Sequence, residues 1–219
     1  MNRIHSLKNA RVKLVHQLQT RPRARREERK LVLEGVRLIN DALDAKQRPH
    51  FVFYLPERTP KNLIERLDAQ GVDVLAVTDE VMRHMSDTQQ PQGVLGVFDI
   101  PLPRIPKNAS QILILDAIRD PGNMGTMLRT AAAANVDVVV LAPACVDPYN
   151  PKVLRSGMGA HFRLPILEAS WEEIANYCQD VHIYLADGVG DVDYWAVDWR
   201  DAWALIIGSE AHGAGDEAR

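Results

Sequence analysis

The sequence has 219 residues, 46% of them hydrophobic, and a formal net charge of −3. A chain of this length suits two globular domains, each with its own core. We find no apolar run long enough to span a bilayer and no signal-peptide pattern, so a cytoplasmic protein without a membrane partner is expected. The cysteines and histidines follow no zinc-binding spacing, and no metal site is expected.

The first 30 residues differ from the rest of the chain in charge. They contain ten Lys or Arg and two Glu, whereas the remaining 189 residues contain 16 basic and 27 acidic ones. Apolar residues at roughly helical spacing, from Ile4 to Leu18, predict an amphipathic helix. The Pro-interrupted arginine cluster at 21–29 predicts a basic loop. Residues 1–30 are therefore predicted to form a basic N-terminal helix and arm.

Residues 31–100 alternate short strand-like runs with helical patterns, such as "FVFYL" before "KNLIERLDAQ". Turn residues fall in the gaps between them. This alternation predicts a small α/β domain. The three prolines and missing periodicity of residues 101–110 predict a linker between domains.

Residues 111–219 predict a second α/β domain. Its apolar runs "ILIL", "VVVL" and "LII" suit strands that are covered on both faces, as in a parallel sheet. A helix is predicted over 122–135. Ser170 and Glu173 form a capping-box pattern at the start of a later helix.

Two loops of this domain carry polar residues where open parallel sheets bind ligands. In "DPGNMGTMLRTA" the turn places Asn123 and Arg129 near the end of the first strand, although Asn123 could instead cap the helix and Arg129 could be a solvated charge. In "IIGSEAHGAG" glycines allow close approach of a ligand, and Glu210 follows a buried strand. Neither loop has the G-x-G-x-x-G spacing of a dinucleotide-binding fold, which disfavours an α/β oxidoreductase.

Together, these two stretches resemble the first and second motifs of the SpoU family of RNA ribose 2′-O-methyltransferases, in the SPOUT superfamily. The segment between them, "NPKVLRSGMGAHFRLPI", is similar to the family's connecting segment, and residues 30–100 are similar to the RNA-binding domain often fused in front. The resemblance covers nearly the whole chain. It implies a SPOUT-type knotted parallel-sheet methyltransferase domain preceded by a small α/β RNA-binding domain, acting as a homodimer.

The resemblance also implies an activity: methyl transfer from S-adenosylmethionine to a ribose 2′-hydroxyl of structured RNA. Ribosomal RNA is favoured as the substrate, with transfer RNA as the alternative. The positions that match the family's motifs are Asn123, Arg129 and Glu210 for catalysis and Gly208, Ser209 and Gly213 for the cofactor.

The chemistry suggests a division of roles among the catalytic positions. An arginine side chain normally stays protonated, so Arg129 is expected to clamp the neighbouring phosphate and the developing alkoxide rather than to accept a proton. Asn123 and Glu210 are then expected to orient Arg129.

One departure from the family pattern concerns its third motif, a Ser-Leu-Asn stretch that does not occur before Arg219. The resemblance implies that this motif closes the cofactor pocket and forms the threaded segment of the knot. Without this motif the chain is expected to bind the cofactor poorly, and an RNA-binding protein without catalysis is the alternative function.

The basic N-terminal segment is expected to neutralise RNA phosphates, unless it forms only a solubilising tail. Its lack of interleaved aromatic residues argues against base stacking there. The predicted RNA-binding residues are Arg21, Arg23, Arg25, Arg26 and Arg29, together with Arg155 of the connecting segment.

Some residues near these motifs are predicted to have structural roles. His161 and His212 are expected to form local hydrogen bonds rather than to transfer protons. Trp195, Trp199 and Trp203, spaced by four, suit a helical stripe or a cover over the core, and packing or a dimer surface is favoured over base stacking.

Overall fold

The structure is a computed structural model that describes residues 3–211 and 213–219, so His212 lies outside the described residues. It contains a four-stranded and a five-stranded sheet, which correspond to the two predicted α/β domains. In the described ranges no helix has both the length and the apolar character needed to cross a bilayer.

The N-terminal unit surrounds the four-stranded sheet. Its elements are α1 (Ala10–Thr20), α2 (Pro22–Glu28), β1 (Lys30–Glu34), α3 (Val36–Asp44), β2 (Phe51–Tyr54), α4 (Lys61–Ala69), β3 (Asp73–Ala76), α5 (Asp79–Met85) and β4 (Val94–Asp99). The sheet order is β1-β4-β2-β3, with β4 antiparallel to both its neighbours and β2 parallel to β3. Apolar clusters lie on both faces of this sheet.

Residues 3–30 belong to this unit and do not form a separate arm. Val12, Val15 and Leu18 of α1 are at most 1% exposed and pack in the same cluster as Phe53 of the sheet. The predicted basic loop is also wrong, because Pro22–Glu28 is a helix. Proline at the first helical position lacks only an N–H that would have no partner there, so it starts the helix rather than breaking it.

The second unit surrounds the five-stranded sheet. Its elements are β5 (Gln111–Leu115), α6 (Pro121–Ala133), β6 (Val138–Leu141), α7 (Pro151–Gly157), β7 (Ile166–Glu168), α8 (Trp171–Tyr177), β8 (His182–Ala186) and β9 (Trp203–Ile207). The strand order is β7-β6-β5-β9-β8 and every pairing is parallel. The predicted parallel sheet is therefore confirmed.

Burial on both faces explains the continuous apolar runs of this sheet. Leu113 and Leu115 point into a cluster on one face, and Ile112 and Ile114 point into a cluster on the other. The capping box of Ser170 is present at the start of α8. Of the two alternatives for the tryptophans, the helical stripe is wrong, because Trp203 begins a strand and Trp195 lies in a short 3-10 turn.

Helices α6 and α7 approach each other closely at a glycine. A Cβ at Gly125 would lie 1.9 Å from the Ser156 hydroxyl oxygen and 2.6 Å from the Val153 carbonyl oxygen. The Ser156 hydroxyl is within 2.8 Å of the Lys152 carbonyl and 3.2 Å of the Pro121 carbonyl. Only glycine permits this approach, which fixes α7 against the first turn of α6.

An ion pair joins the N-terminal unit to the loop before α7. Arg25 is 2% exposed and donates to Asp147 Oδ2 from Nε at 2.9 Å and from Nη2 at 2.6 Å. Its Nη1 donates to the Leu18 carbonyl at 2.6 Å. The prediction that Arg25 binds RNA is therefore wrong, because its guanidinium is buried and already used between the two units.

We expect Arg25→Ala to lower the free energy of unfolding by about 3 kcal/mol, because it leaves the Asp147 carboxylate with little solvent and no cation. Urea denaturation followed by circular dichroism measures the change. Arg26→Ala removes the neighbouring exposed arginine and should stay within about 0.5 kcal/mol of the wild type. Equal effects of the two substitutions would contradict a structural role for Arg25.

Candidate active site

The candidate site lies where two adjacent parallel strands end together. Strands β5 and β9 pair in register up to Leu115 and Ile207. The loops that follow them, residues 116–120 and 208–215, therefore leave the sheet side by side. This is the edge at which open α/β sheets bind ligands.

A buried carboxylate ties the two loops together. Asp116 is 4% exposed, and its Oδ2 accepts a hydrogen bond from the Gly215 backbone N–H at 2.7 Å. Its own backbone N–H donates to the Ile207 carbonyl at 2.9 Å. Sequence reasoning missed Asp116, although an aspartate directly after the apolar run "ILIL" of β5 was the available signal.

The first turn of α6 is capped by Asp120, so the alternative in which Asn123 is the cap is wrong. Asp120 Oδ1 accepts from the Asn123 backbone N–H at 2.8 Å. This hydrogen bond, with the nearby Lys152 ammonium, lowers the pKa of Asp120. The Asn123 side chain is thereby left for another contact, and its Nδ2 donates to Glu210 Oε1 at 2.6 Å.

The glycine-rich loop after β9 folds back on itself. Ser209 and Gly213 each donate a backbone hydrogen bond to the other's carbonyl at 2.8 Å. Gly213 has a φ of 68°, in the left-handed region that favours glycine. A Cβ at Gly208 would lie 2.2 Å from the Ala214 backbone nitrogen, so this position accepts no side chain without movement of the loop.

The two loops enclose a cavity of about 440 Å³, a size typical of small-molecule sites. Its walls combine small and apolar side chains with a few polar groups that face one another. The lining residues are Ala117, Ile118, Arg119, Asp120, Asn123, Met127, Ser209, Glu210, Ala211, Gly213, Ala214 and Gly215.

The structure brings together two of the three predicted catalytic residues. Asn123 and Glu210 line the cavity and are hydrogen-bonded to each other. Arg129 is exposed on α6 and does not line the cavity, and its side chain has no hydrogen bond or ion pair with any residue that the structure describes. Within one chain, Asn123 and Glu210 therefore do not orient Arg129 as expected. Its catalytic role stays a prediction.

The predicted cofactor positions also cluster at this edge. Ser209 and Gly213 line the cavity, and Gly208 begins the same loop.

His161 lies elsewhere and is fully buried, with Nε2 2.8 Å from the Pro148 carbonyl oxygen. This contact confirms the expected local hydrogen bond. Burial lowers the pKa of His161 to about 4.

The predicted RNA-binding arginines fall into three groups. Arg155 Nη2 donates to Asp87 Oδ2 at 2.9 Å, which uses part of its guanidinium inside the protein. Arg25 is buried, as described above. The arginines that remain exposed are Arg21, Arg23, Arg26 and Arg29.

The fold and site define an α/β protein of two units. The second unit has a parallel sheet, with a cavity between two loops at the carboxyl ends of its strands. The N-terminal unit is also of the α/β type. Residues 110–219 match the SpoU rRNA Methylase family, and residues 9–96 match the MRM3-like substrate binding domain. The chain belongs to the SpoU rRNA methylase family.

Similar proteins include a bacterial and a mitochondrial rRNA methyltransferase. The chain is 30% identical over 221 residues to the 23S rRNA (guanosine(2553)-2′-O)-methyltransferase RlmP of Bacillus subtilis, covering 100% of this chain and 86% of that protein. It is 41% identical over 177 residues to the mitochondrial rRNA methyltransferase 3 of Homo sapiens. That match covers 76% of this chain but only 42% of the human protein.

Solved structures show the same fold. An AdoMet-bound rRNA methyltransferase from Sinorhizobium meliloti is 30% identical, with a TM-score of 0.83, and the match covers 98% of this chain and 83% of that one. The SpoU methyltransferase AviRb from Streptomyces viridochromogenes, in complex with AdoMet, is 25% identical with a TM-score of 0.86, covering 97% and 85%.

We expect Gly208→Ala to open the glycine-rich loop, because the added methyl group would overlap the backbone of Gly213 and Ala214. Hydrogen exchange followed by mass spectrometry should show faster exchange in residues 208–215 while β5 and β6 stay protected. The matched control is Gly188→Ala, where an added Cβ meets nothing within 4 Å. Unchanged exchange in the Gly208 variant would contradict the tight loop.

Proposed function

We propose that the protein transfers a methyl group from S-adenosylmethionine to a ribose 2′-hydroxyl of ribosomal RNA. The observation that carries this proposal is the 2.6 Å hydrogen bond between Asn123 and Glu210. These residues come from the two family motifs, 87 positions apart, and meet at the wall of one cavity. The names of the relatives support methyl transfer to ribosomal RNA.

The residues at this edge fit the cofactor. The cavity has room for a small molecule, and its small lining residues Ala117, Ala211 and Ala214 leave the backbone accessible to a ligand. The loop from Gly208 to Gly213 would hold S-adenosylmethionine. When bound, this cofactor supplies an electrophilic methyl group.

The side chains of this chain then have distinct tasks. Asn123 holds the Glu210 carboxylate in a fixed direction at the cavity wall, which removes the cost of ordering that carboxylate during the reaction. Glu210 is exposed enough to meet a substrate group. Arg129 supplies a permanent positive charge for a phosphate and for negative charge that develops on the ribose oxygen.

The proposal includes a homodimer. Arg129 does not line the cavity of its own chain, so a site completed by the partner subunit gives it a place to act. The second unit also exposes large apolar side chains in one part of the sequence, which suits a protein interface. These exposed residues are Ile183, Val189, Val192, Tyr194 and Trp195.

The N-terminal unit provides the RNA-binding part of the proposal. Arg21, Arg23, Arg26 and Arg29 are exposed and lie within nine residues of one another, so they can neutralise neighbouring phosphates. The match to a substrate binding domain supports the same role. The proposal also includes the SPOUT-type knot, whose threaded segment the resemblance assigns to the third motif, and a cytoplasmic location.

The activity is tested with tritium-labelled S-adenosylmethionine and ribosomal RNA, with transfer RNA as a parallel substrate. We expect label in ribosomal RNA at linkages that resist alkaline hydrolysis, since a methylated 2′-oxygen cannot attack its phosphate. Arg129→Ala should lower kcat by about 100-fold, because it removes the charge that stabilises the developing alkoxide.

The matched control for this assay is Arg104→Ala, which removes an exposed arginine from the linker and should leave kcat unchanged. RNA binding without any incorporated label would contradict the proposal and favour an RNA-binding protein without catalysis. Label in transfer RNA alone would show that transfer RNA, and not ribosomal RNA, is the substrate.

The RNA contacts are tested by the salt dependence of binding. We expect the double substitution Arg23→Ala and Arg26→Ala to weaken RNA binding and to reduce the slope of log Kd against log salt by about 1 for each lost phosphate contact. Fluorescence anisotropy with labelled ribosomal RNA fragments measures both. Arg37→Ala removes an exposed arginine of α3 outside this cluster and is the control. An unchanged slope would favour the solubilising-tail alternative.

A further inference from the structure

Helix α7 is attached to the active-site helix along its length. The Lys152 ammonium lies 3.6 Å from Asp120, which caps α6, and the Ser156 hydroxyl lies 3.2 Å from the Pro121 carbonyl. The close contact at Gly125 leaves no space between the two helices. A displacement of α7 therefore moves the first turn of α6, which carries Asn123.

The same helix is part of the core of the N-terminal unit. Leu154 is 2% exposed and packs in the cluster that contains Leu31 and Leu33 of β1, whereas its neighbour Val153 packs in the cluster of the second unit. Since adjacent residues of α7 belong to both cores, this helix is a direct mechanical connection between them.

Arg155 adds a polar contact to this connection. Its Nη2 donates to Asp87 Oδ2 at 2.9 Å, and the two side chains are 27% and 37% exposed. The loop that carries Asp87 is held by Glu34, a carboxylate at the end of β1 that is only 3% exposed. Glu34 accepts hydrogen bonds from the Ser86 and Thr88 hydroxyls at 2.8–3.0 Å. Asp87 is thus presented to Arg155 from a fixed loop.

Some buried polar atoms at the boundary between the units have no hydrogen-bond partner among the residues described. Gln19, Glu34 and Arg155 line one small cavity there. Arg155 Nη1 and both side-chain polar atoms of Gln19 are buried without a hydrogen-bond partner among the residues described. Unpaired buried polar atoms cost free energy, so the packing around Arg155 at this boundary is not optimal.

We propose that Arg155 is a positioning residue that couples the placement of the N-terminal unit to the first turn of α6. It holds α7 to the loop of Asp87, and α7 in turn holds the helix that carries Asn123. This inference rests on the proposed methyl transfer to RNA. It replaces the phosphate contact that the sequence predicts for Arg155.

A charge exchange tests this role in the full chain. We expect Arg155→Asp and Asp87→Arg each to lower kcat by about tenfold to about 100-fold, because a small misplacement of the reacting groups is that costly. The Kd for ribosomal RNA should change by less than about twofold, since the Arg155 guanidinium is already paired with Asp87. The double variant restores the ion pair with reversed charges and should recover most of kcat.

The matched control exchanges a pair inside the N-terminal unit. Arg66 donates to Asp44 at 2.7 Å, and reversing these two charges should leave kcat unchanged. A raised RNA Kd in Arg155→Asp that the double variant does not rescue would overturn the proposal in favour of a phosphate contact. Recovery of the thermal unfolding midpoint without recovery of kcat would also overturn it, because the pair would then be only structural.

A second readout does not require methyl transfer. Hydrogen exchange of α6 should slow when RNA binds the wild type, should not slow in Arg155→Asp, and should slow again in the double variant. A wild type without activity but with this exchange pattern would contradict only the proposed function. Identical slowing in the wild type and in Arg155→Asp would contradict the coupling itself.

Discussion

The parallel pairing of β5 with β9 is the constraint on which the rest of the site depends. The two strands end in register at Leu115 and Ile207, so the loops after them begin at the same height on the sheet. Asp116 then joins them through its hydrogen bond to Gly215, and Asn123 joins them again through Glu210. Without that register, residues 87 positions apart in sequence would not share a cavity.

The sequence predicted the parts of the site that follow from sheet geometry. Parallel strands end at a common edge, so the convergence of Asn123 and Glu210 could be expected from their positions after apolar runs. The placement of Arg129 could not be predicted in this way, because a motif match assigns a role to a residue but does not show where its side chain points. The structure places this side chain on an exposed face of α6.

Other features could not be predicted, because charge and periodicity do not reveal long-range partners. The arginines at 21–29 look equivalent in sequence, yet Arg25 is buried against Asp147, 122 positions away, while its neighbour Arg26 is exposed. The helix Pro22–Glu28 was missed because its proline was interpreted as a break, whereas proline at the first helical position starts a helix. The strands and cores were predicted more reliably, because burial on both faces gives a direct apolar signal.

The two units are best regarded as one mechanical assembly. Helix α7 places adjacent residues in both cores, and the buried Arg25 pair fixes the loop that precedes it. The proposed methyl transfer, in which a large RNA is positioned against a small cofactor, would use such a connection. The polar contacts at the boundary contribute less free energy than the apolar packing on either side of it. They are therefore the contacts that can rearrange.

The most direct test of the account is a crystal structure of the protein with S-adenosylhomocysteine. The account predicts that this ligand lies in the cavity between residues 116–120 and 208–215, in contact with the glycine-rich loop and near Asn123. A ligand bound elsewhere, such as in the second cavity between Arg26 and Glu168, would contradict the claim that the ends of β5 and β9 form the active site.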